Sequence, residues 1–215
     1  MKNILFKFLV VLSLNTAVGS YAYSAPVIGP TGNAYEYIPA NSVTWASAQS
    51  EASIRIYLGM PGHLTTIFSQ AENDFVLGLL AGVDGSVWLG GSDTTSEGSW
   101  TWVTGEQFWQ GNFSGMPGPD IYYANWINEI EPNNASGDED FLTMFGPLVR
   151  GAGNSAPGLW NDLSPLTMAT ISGSDFYIHG YVVEYAISAV PIPSALWLLL
   201  SGFLVLASMH IKRIA

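Results

Sequence analysis

The sequence predicts an α+β domain, and three observations carry that reading. Two stretches in its first half place apolar residues at helical spacing. Strand-like runs with period-two alternation follow them. A region from Gly105 to Pro165 is then rich in Gly, Pro, Asn and Asp, yet holds Trp109, Tyr122, Tyr123, Trp126, Phe141, Leu142, Phe145 and Trp160. Disordered segments are poor in aromatics, so this region is read as a long ordered loop. Two helices packed on small antiparallel sheets beside it give an α+β architecture.

Each element has its own signal. Pro26, Gly29, Pro30 and Gly32 make a loop, and Ala34–Ile38 reads as a first strand. Asn41 or Ser42 is placed to cap a helix running through Trp45, Ala48 and Ala52. Pro61-Gly62-His63 predicts a break, and Leu64–Ile67 a strand. Ser69 predicts the start of a second helix, because Glu72 three residues on completes a capping box. That helix buries Phe75, Val76, Leu79 and Leu80. Ser86–Gly91, Trp100–Val103 and Phe176–Tyr185 read as strands. Trp100 and Trp102 flank Thr101, so they share one strand face and belong to the core. A connection as long as 105–165 is functional when it is ordered.

Both ends differ from this middle. Residues 1–25 read as a secretory signal peptide: Lys2 and Lys7, an apolar run from Ile4 to Leu14, then small residues near Gly19, Ala22 and Ser24. Residues Ala195–Ile211 form a second apolar run, close to the shortest length that spans a bilayer. Lys212 and Arg213 follow it and would stay on the cytoplasmic side. All 17 acids lie between these ends, with only Arg55 and Arg150 to offset them. That charge excludes nucleic acid, whose phosphates need a basic surface, and disfavours anionic lipid headgroups. There is no cysteine, so disulfides, thiol nucleophiles and thiolate metal sites are excluded.

The strongest chemical signal is Glu131-Pro132-Asn133-Asn134, then Gly137-Asp138-Glu139-Asp140, then Trp160-Asn161-Asp162. These segments gather side-chain oxygens. Ca²⁺ takes six to eight oxygens in flexible geometry, whereas Mg²⁺ demands a strict octahedron and Zn²⁺ prefers nitrogen and sulfur. Asn/Asp/Gly runs also make ordinary turns, and the residues alone leave both readings open.

With these motifs in hand, residues 33–186 resemble the C-type lectin-like domain. The resemblance begins at Thr44-Trp45-Ala46-Ser47-Ala48-Gln49 and continues through Gly62–Ile67, Ala71-Glu72-Asn73, Trp88-Leu89-Gly90-Gly91 and Glu97–Trp102. It ends with Asn125-Trp126, Glu-Pro-Asn, Trp-Asn-Asp and Gly180–Tyr185. It implies a sugar-binding Ca²⁺ held by Glu131, Asn133, Glu139, Asn161 and Asp162, with a cis peptide before Pro132. A weaker accessory site falls on Asp93, Glu97, Asn134 and Asp140, assisted by Glu139. The family's four cysteines are missing: Ala52, Val183 and Phe141 stand at three of their positions.

The resemblance also implies a mechanism. Two neighbouring sugar hydroxyls ligate the ion, each donating to a carboxylate and accepting from an amide. Glu131 with Asn133 serves one hydroxyl, and Glu139 with Asn161 serves the other. Glu-Pro-Asn goes with mannose-type sugars. Tyr122, Tyr123 and Trp126 are candidates for stacking on the sugar, although the family uses a similar Trp structurally. An acid pair for glycoside hydrolysis drawn from Glu129, Glu131 and Glu139 is the weaker reading, so the expectation is a binding protein and not an enzyme. The rival expectation is a protein-interaction or structural module that binds no sugar.

The end of the chain resembles a PEP-CTERM sorting tail over residues 190–215. Val190-Pro191-Ile192-Pro193 stands in place of the usual proline motif, and the apolar helix and Lys212-Arg213 follow it. This implies export in a Gram-negative bacterium and an inner-membrane intermediate held by the C-terminal helix. An exosortase-type enzyme would then process it for the cell surface or exterior, where exopolysaccharide is the expected partner.

Overall fold

The computed structural model describes residues 25–120, 123–135, 137–151, 156–165 and 173–187. The expected signal peptide (apart from Ala25), the sorting tail with its apolar helix, and Tyr122 lie outside the described residues. Among the described residues, no helix is long and apolar enough to cross a membrane.

The chain runs β1 (Val27–Ile28), β2 (Ala34–Pro39), α1 (Trp45–Ile54), β3 (Ile56–Tyr57), β4 (Met60–Leu64), α2 (Gln70–Leu79) and β5 (Ser86–Ser92). It continues through β6 (Ser99–Trp102), β7 (Gln107–Gln110), β8 (Met116–Pro117), β9 (Phe141–Phe145), β10 (Trp160–Leu163) and β11 (Ile178–Tyr185). The main strand order is β1-β2-β11-β5-β6-β7-β8. From this path β9 pairs with β5 and β10, while β4 pairs with β11 and β3. Both expected helices and the α+β class are present. One pairing departs from the expected antiparallel sheets: β5 and β11 run parallel. Parallel neighbours need a long crossover, and the whole loop region provides it.

Local chemistry starts the helices. The first begins two or three residues later than Ser42 or Asn41 implied, because the Thr44 side chain takes the cap and accepts from the Ser47 amide. In the second, the Ser69 hydroxyl accepts from the Glu72 amide, and Glu72 reaches back to the Phe68 amide at 2.9 Å. The expected break at Pro61-Gly62-His63 falls instead inside β4. Pro61 is tolerated there because it pairs with Ile56 of the two-residue strand β3, and short edge pairings accept proline. Gly62 is required by close approach: a Cβ on it would lie 2.6 Å from Val183 Cγ1 and 2.9 Å from the Ala52 carbonyl. The strand expected at 64–67 is accordingly displaced to 60–64.

Side-chain alternation makes the sheet a partition between two cores. On β5, Val87 and Leu89 enter one cluster and Trp88 the other. On β11, Val182 enters the first while Tyr181 and Val183 enter the second. Residues Val76 and Leu80 of the α2 region cover the first core, and Trp45, Ala48 and Ala52 of α1 cover the second. Aromatic rings fill the first core, where Trp102 stacks on Phe108 at 4.2 Å and Trp160 meets Trp102 edge-on at 5.7 Å. Truncating such a ring to alanine costs about 3–5 kcal/mol. Ala52 and Val183 lie fully buried in one cluster, and Phe141 stacks on Trp45 at 4.8 Å. Apolar packing therefore occupies the positions where the resemblance places cysteines.

The 105–165 region is more regular than its sequence suggests. It contains β7, β8, β9 and β10. β9 and β10 pair in register from Trp160↔Met144 to Leu163↔Phe141, and this ladder ties the loops to the core.

Candidate functional site

Strand β10 distributes the site. Successive side chains of a strand point to opposite faces, so Asn161 and Leu163 face one way while Trp160 and Asp162 face the other. Asn161, Glu131, Asn133 and Glu139 line a cavity of 140 Å³, floored by Leu163 and Phe176. Asp162 opens instead on a smaller cavity of 20 Å³ with Glu97, Asn133 and Asn134. Four of the five expected ligands thus share one cavity. The fifth lies across the strand, and Asn133 borders both cavities.

Asp162 is nonetheless bound to the first group. Its Oδ2 accepts from the amides of Asn133 at 3.0 Å and Asn134 at 2.8 Å, and its carboxyl lies close enough to that of Glu131 for the two charges to interact. Burial, then the facing Asp162, pushes the Glu131 carboxyl above the usual range. Burial likewise raises Asp162, against the pull of its hydrogen-bond donors. Glu139 is raised by burial, although the Ala135 amide donates to its Oε2 at 2.7 Å. The Glu131–Pro132 peptide is cis, as expected. Asn161 donates through its side-chain amide to the Asp162 carbonyl, and the Asn134 side-chain oxygen accepts from the Glu139 amide at 3.1 Å.

The expected accessory residues also converge. Asp93 is buried; its Oδ2 accepts from the Gly98 amide at 2.8 Å. Burial pushes its carboxyl up to about 7, opposed by that amide and reinforced by the charges of Glu97, Asp140 and Asp162. Glu97 and Asn134 border the 20 Å³ cavity with Asp162. Asp140 meets Asp93 through the backbone, where its carbonyl accepts from the Asp93 amide at 3.2 Å.

Among the described residues, no three Asp, Glu or His side chains already form a metal-ready cluster. The carboxylates are turned onto backbone amides and onto each other. Even so, Glu131 Oε2, Asp162 Oδ1 and Asp93 Oδ1 are buried with no hydrogen-bond partner. A buried carboxylate oxygen without a partner is costly. The donors here are carboxylates and amides, the set that suits a hard cation. The residues therefore fit Ca²⁺, with Glu131, Asn133, Glu139, Asn161 and Asp162 as the group that would hold it.

The aromatic expectations divide. Trp100 and Trp102 are core, as their alternation implied. Trp126 is also core, edge-on to Trp100 at 4.9 Å. Tyr123 packs its ring edge on Trp160 and donates its hydroxyl to Gln70 Oε1 at 3.1 Å. The sequence reading missed Leu163 and Phe176, which floor the larger cavity. For Leu163 a signal existed, since it stands two residues after Asn161 on the same strand face.

Fold and site together define a C-type lectin domain. Residues 42–169 match the family model described as the lectin C-type domain, and the chain belongs to that family. It is 38% identical over 112 residues to Halomucin of Haloquadratum walsbyi, half of this chain and 1% of that protein. It is 31% identical over 131 residues to a lectin of Pleurodeles waltl, covering 60% of this chain and 61% of that one. Over 76 residues it is 38% identical to the type-2 ice-structuring protein of Hemitripterus americanus, 35% of this chain and 42% of that one. The chain thus spans less than two thirds of these relatives. Among solved structures, the C-type lectin CEL-I from Cucumaria echinata superposes with a TM-score of 0.52 at 20% identity, covering 77% of this chain and 96% of that one. An EPNH mutant of CEL-I gives 0.54 at 21% identity. Both likenesses are of fold.

Proposed function

We propose that this protein is a calcium-dependent carbohydrate-binding protein of the bacterial surface, with a preference for mannose-type sugars, and that it performs no catalysis. The observation that carries the reading is the set of buried carboxylate oxygens without partners beside a cavity lined by two acids and two amides. When bound, calcium would supply positive charge for these oxygens and open coordination positions for two vicinal hydroxyls. Glu131 accepts and Asn133 donates, so this pair reads one hydroxyl. Glu139 and Asn161 read the next in the same way. The acidic surface favours an uncharged glycan, with exopolysaccharide as the natural source. Asp93, Glu97, Asn134 and Asp140 would hold a second, weaker ion.

In this reading residues 1–25 direct export and 33–186 form the binding domain. Residues 190–215 hold the chain in the inner membrane until an exosortase-type enzyme cuts near Pro191 or Pro193. Mass spectrometry of the mature protein from a Gram-negative host tests the processing: a chain ending at Ala215 means a permanent anchor. Sugar binding is tested on a glycan array with calcium and with chelator. Retention of mannose-type glycans only with calcium is the expected result. An array without bound glycan under either condition leaves the protein-interaction reading.

A further inference from the structure

Glu131 borders a second cavity besides the one it shares with Asn133. This groove, of 210 Å³, is also lined by Trp109, Phe113, Asn125, Asn128 and Glu129. We propose that it is a second sugar subsite, taking a neutral pyranose next to the one held at the ion, so that the protein reads a segment of glycan chain and not a single sugar. The proposal rests on the calcium-site reading.

The groove matches a sugar ring in size and in the chemistry of its walls. At 210 Å³ it falls below the roughly 300–1,000 Å³ of drug-sized pockets, which suits one small ring. Phe113 is 48% exposed. Trp109 is half-buried in β7, and its indole is fixed in place because Nε1 donates to the Asn112 carbonyl at 3.1 Å. Gly115 lets the 111–115 turn close on that edge: a Cβ there would stand 2.8 Å from Nε1. An aromatic face carries partial negative charge and attracts the polarised C–H face of a pyranose.

The opposite character comes from the polar residues. Asn125 donates to the Gly158 carbonyl at 2.7 Å, which leaves its side-chain oxygen as an acceptor. Asn128 and Glu129 are exposed, and no described residue hydrogen-bonds to their side chains. Glu129 also holds a φ of 59°, a left-handed conformation that costs a residue with a long side chain and favours glycine. Strain kept at a groove wall is the pattern of a residue placed for a ligand. The acceptors suit hydroxyl donors, and the acidic walls repel uronic acids and other anionic sugars. Glu131 joins the two cavities, so adjacent residues of one chain can occupy both.

The test is calorimetric titration of the full chain with mannose, glucose and N-acetylglucosamine, each free and as its homodisaccharide, in calcium. The disaccharide of the preferred sugar should bind about tenfold tighter than its monosaccharide. Trp109→Ala should remove that gain and leave monosaccharide affinity unchanged, while Trp109→Phe should keep most of it. Glu129→Gly relieves backbone strain, so the variant should melt no lower than the parent while also losing the gain. A disaccharide no tighter than its monosaccharide, or a gain that survives both Trp109→Ala and Glu129→Gly, overturns the subsite and leaves the calcium reading intact. If no sugar binds in calcium, the calcium reading fails and the subsite fails with it.

Discussion

Two groups of buried carboxylates in this molecule are treated differently. Where α2 meets β2 and β11, every oxygen of the carboxylates Glu184 and Glu72 is satisfied. Glu184 accepts from the Thr66 amide and hydroxyl, each at 2.9 Å, and from Asn33 Nδ2 at 2.7 Å. Glu72 accepts from the Tyr35 hydroxyl, the Phe68 amide and the Ser69 hydroxyl. Around the candidate site, Glu131, Asp162 and Asp93 each keep a buried oxygen with no donor. Both sets are equally hidden from water, so burial does not separate them. The fold supplies donors where an acid is structural. It withholds them beside the residues proposed to hold calcium.

Four experiments sharpen or break this contrast, taken from the largest expected effect. Glu184→Ala strands the Thr66 amide, Thr66 hydroxyl and Asn33 amide in the interior. At about 1–3 kcal/mol for each unmet group, it should cost 3 kcal/mol or more, equally in calcium and in chelator, as read by denaturant melts. Asp162→Asn should do the reverse. It should melt near the parent in chelator yet lose the calcium-induced rise, which for the parent reaches about 2.7 kcal/mol when calcium is a hundredfold above its dissociation constant. A full calcium response in this variant would remove Asp162 from the ion.

The third experiment exchanges donor and acceptor by combining Glu131→Gln with Asn133→Asp, which leaves the site's charge unchanged. Calcium should still stabilise the domain, and mannose should weaken by about 1–3 kcal/mol, roughly ten- to a hundredfold. Undiminished mannose binding with calcium present would place the sugar elsewhere. The smallest effect is a pH slope. Asp93 is raised to about 7 and Glu131, Glu139 and Asp162 are raised too. The folded protein therefore binds more protons than the unfolded chain between the ordinary carboxylate range and those raised values. In chelator these groups stabilise the fold most at the acid end of that window, and stability falls as pH climbs through it. Saturating calcium should flatten or reverse the slope, and melts in chelator that rise from pH 4 to 7 would contradict the shifts.

Much of this was legible in the sequence, for reasons that follow from local chemistry. The second helix could be placed because Ser69 and Glu72 act within a single turn. The core tryptophans could be assigned because alternation around Thr101 needs no knowledge of the fold. Four of the candidate residues that share the 140 Å³ cavity could be named in advance because the Glu-Pro-Asn and Trp-Asn-Asp motifs are contiguous. Non-local facts escaped. The tolerance of Pro61 in β4 depends on β3 being a two-residue partner. The burial of Trp126 depends on Trp100 and Phe108 arriving from β6 and β7. The division of Asn161 from Asp162 became visible only once residues 160–163 were known to form a strand, since within a loop both could face the same way.

The pairing of β2 with β11 has a consequence for architecture. Ala34 lies opposite Tyr185, so the polypeptide enters and leaves the domain side by side. A unit with adjoining ends is portable. It can be spliced into a longer polypeptide, hung from either end of one, or moved between hosts without disturbing its loops. Its likeness to a stretch amounting to 1% of a very large protein suits such an interchangeable cassette.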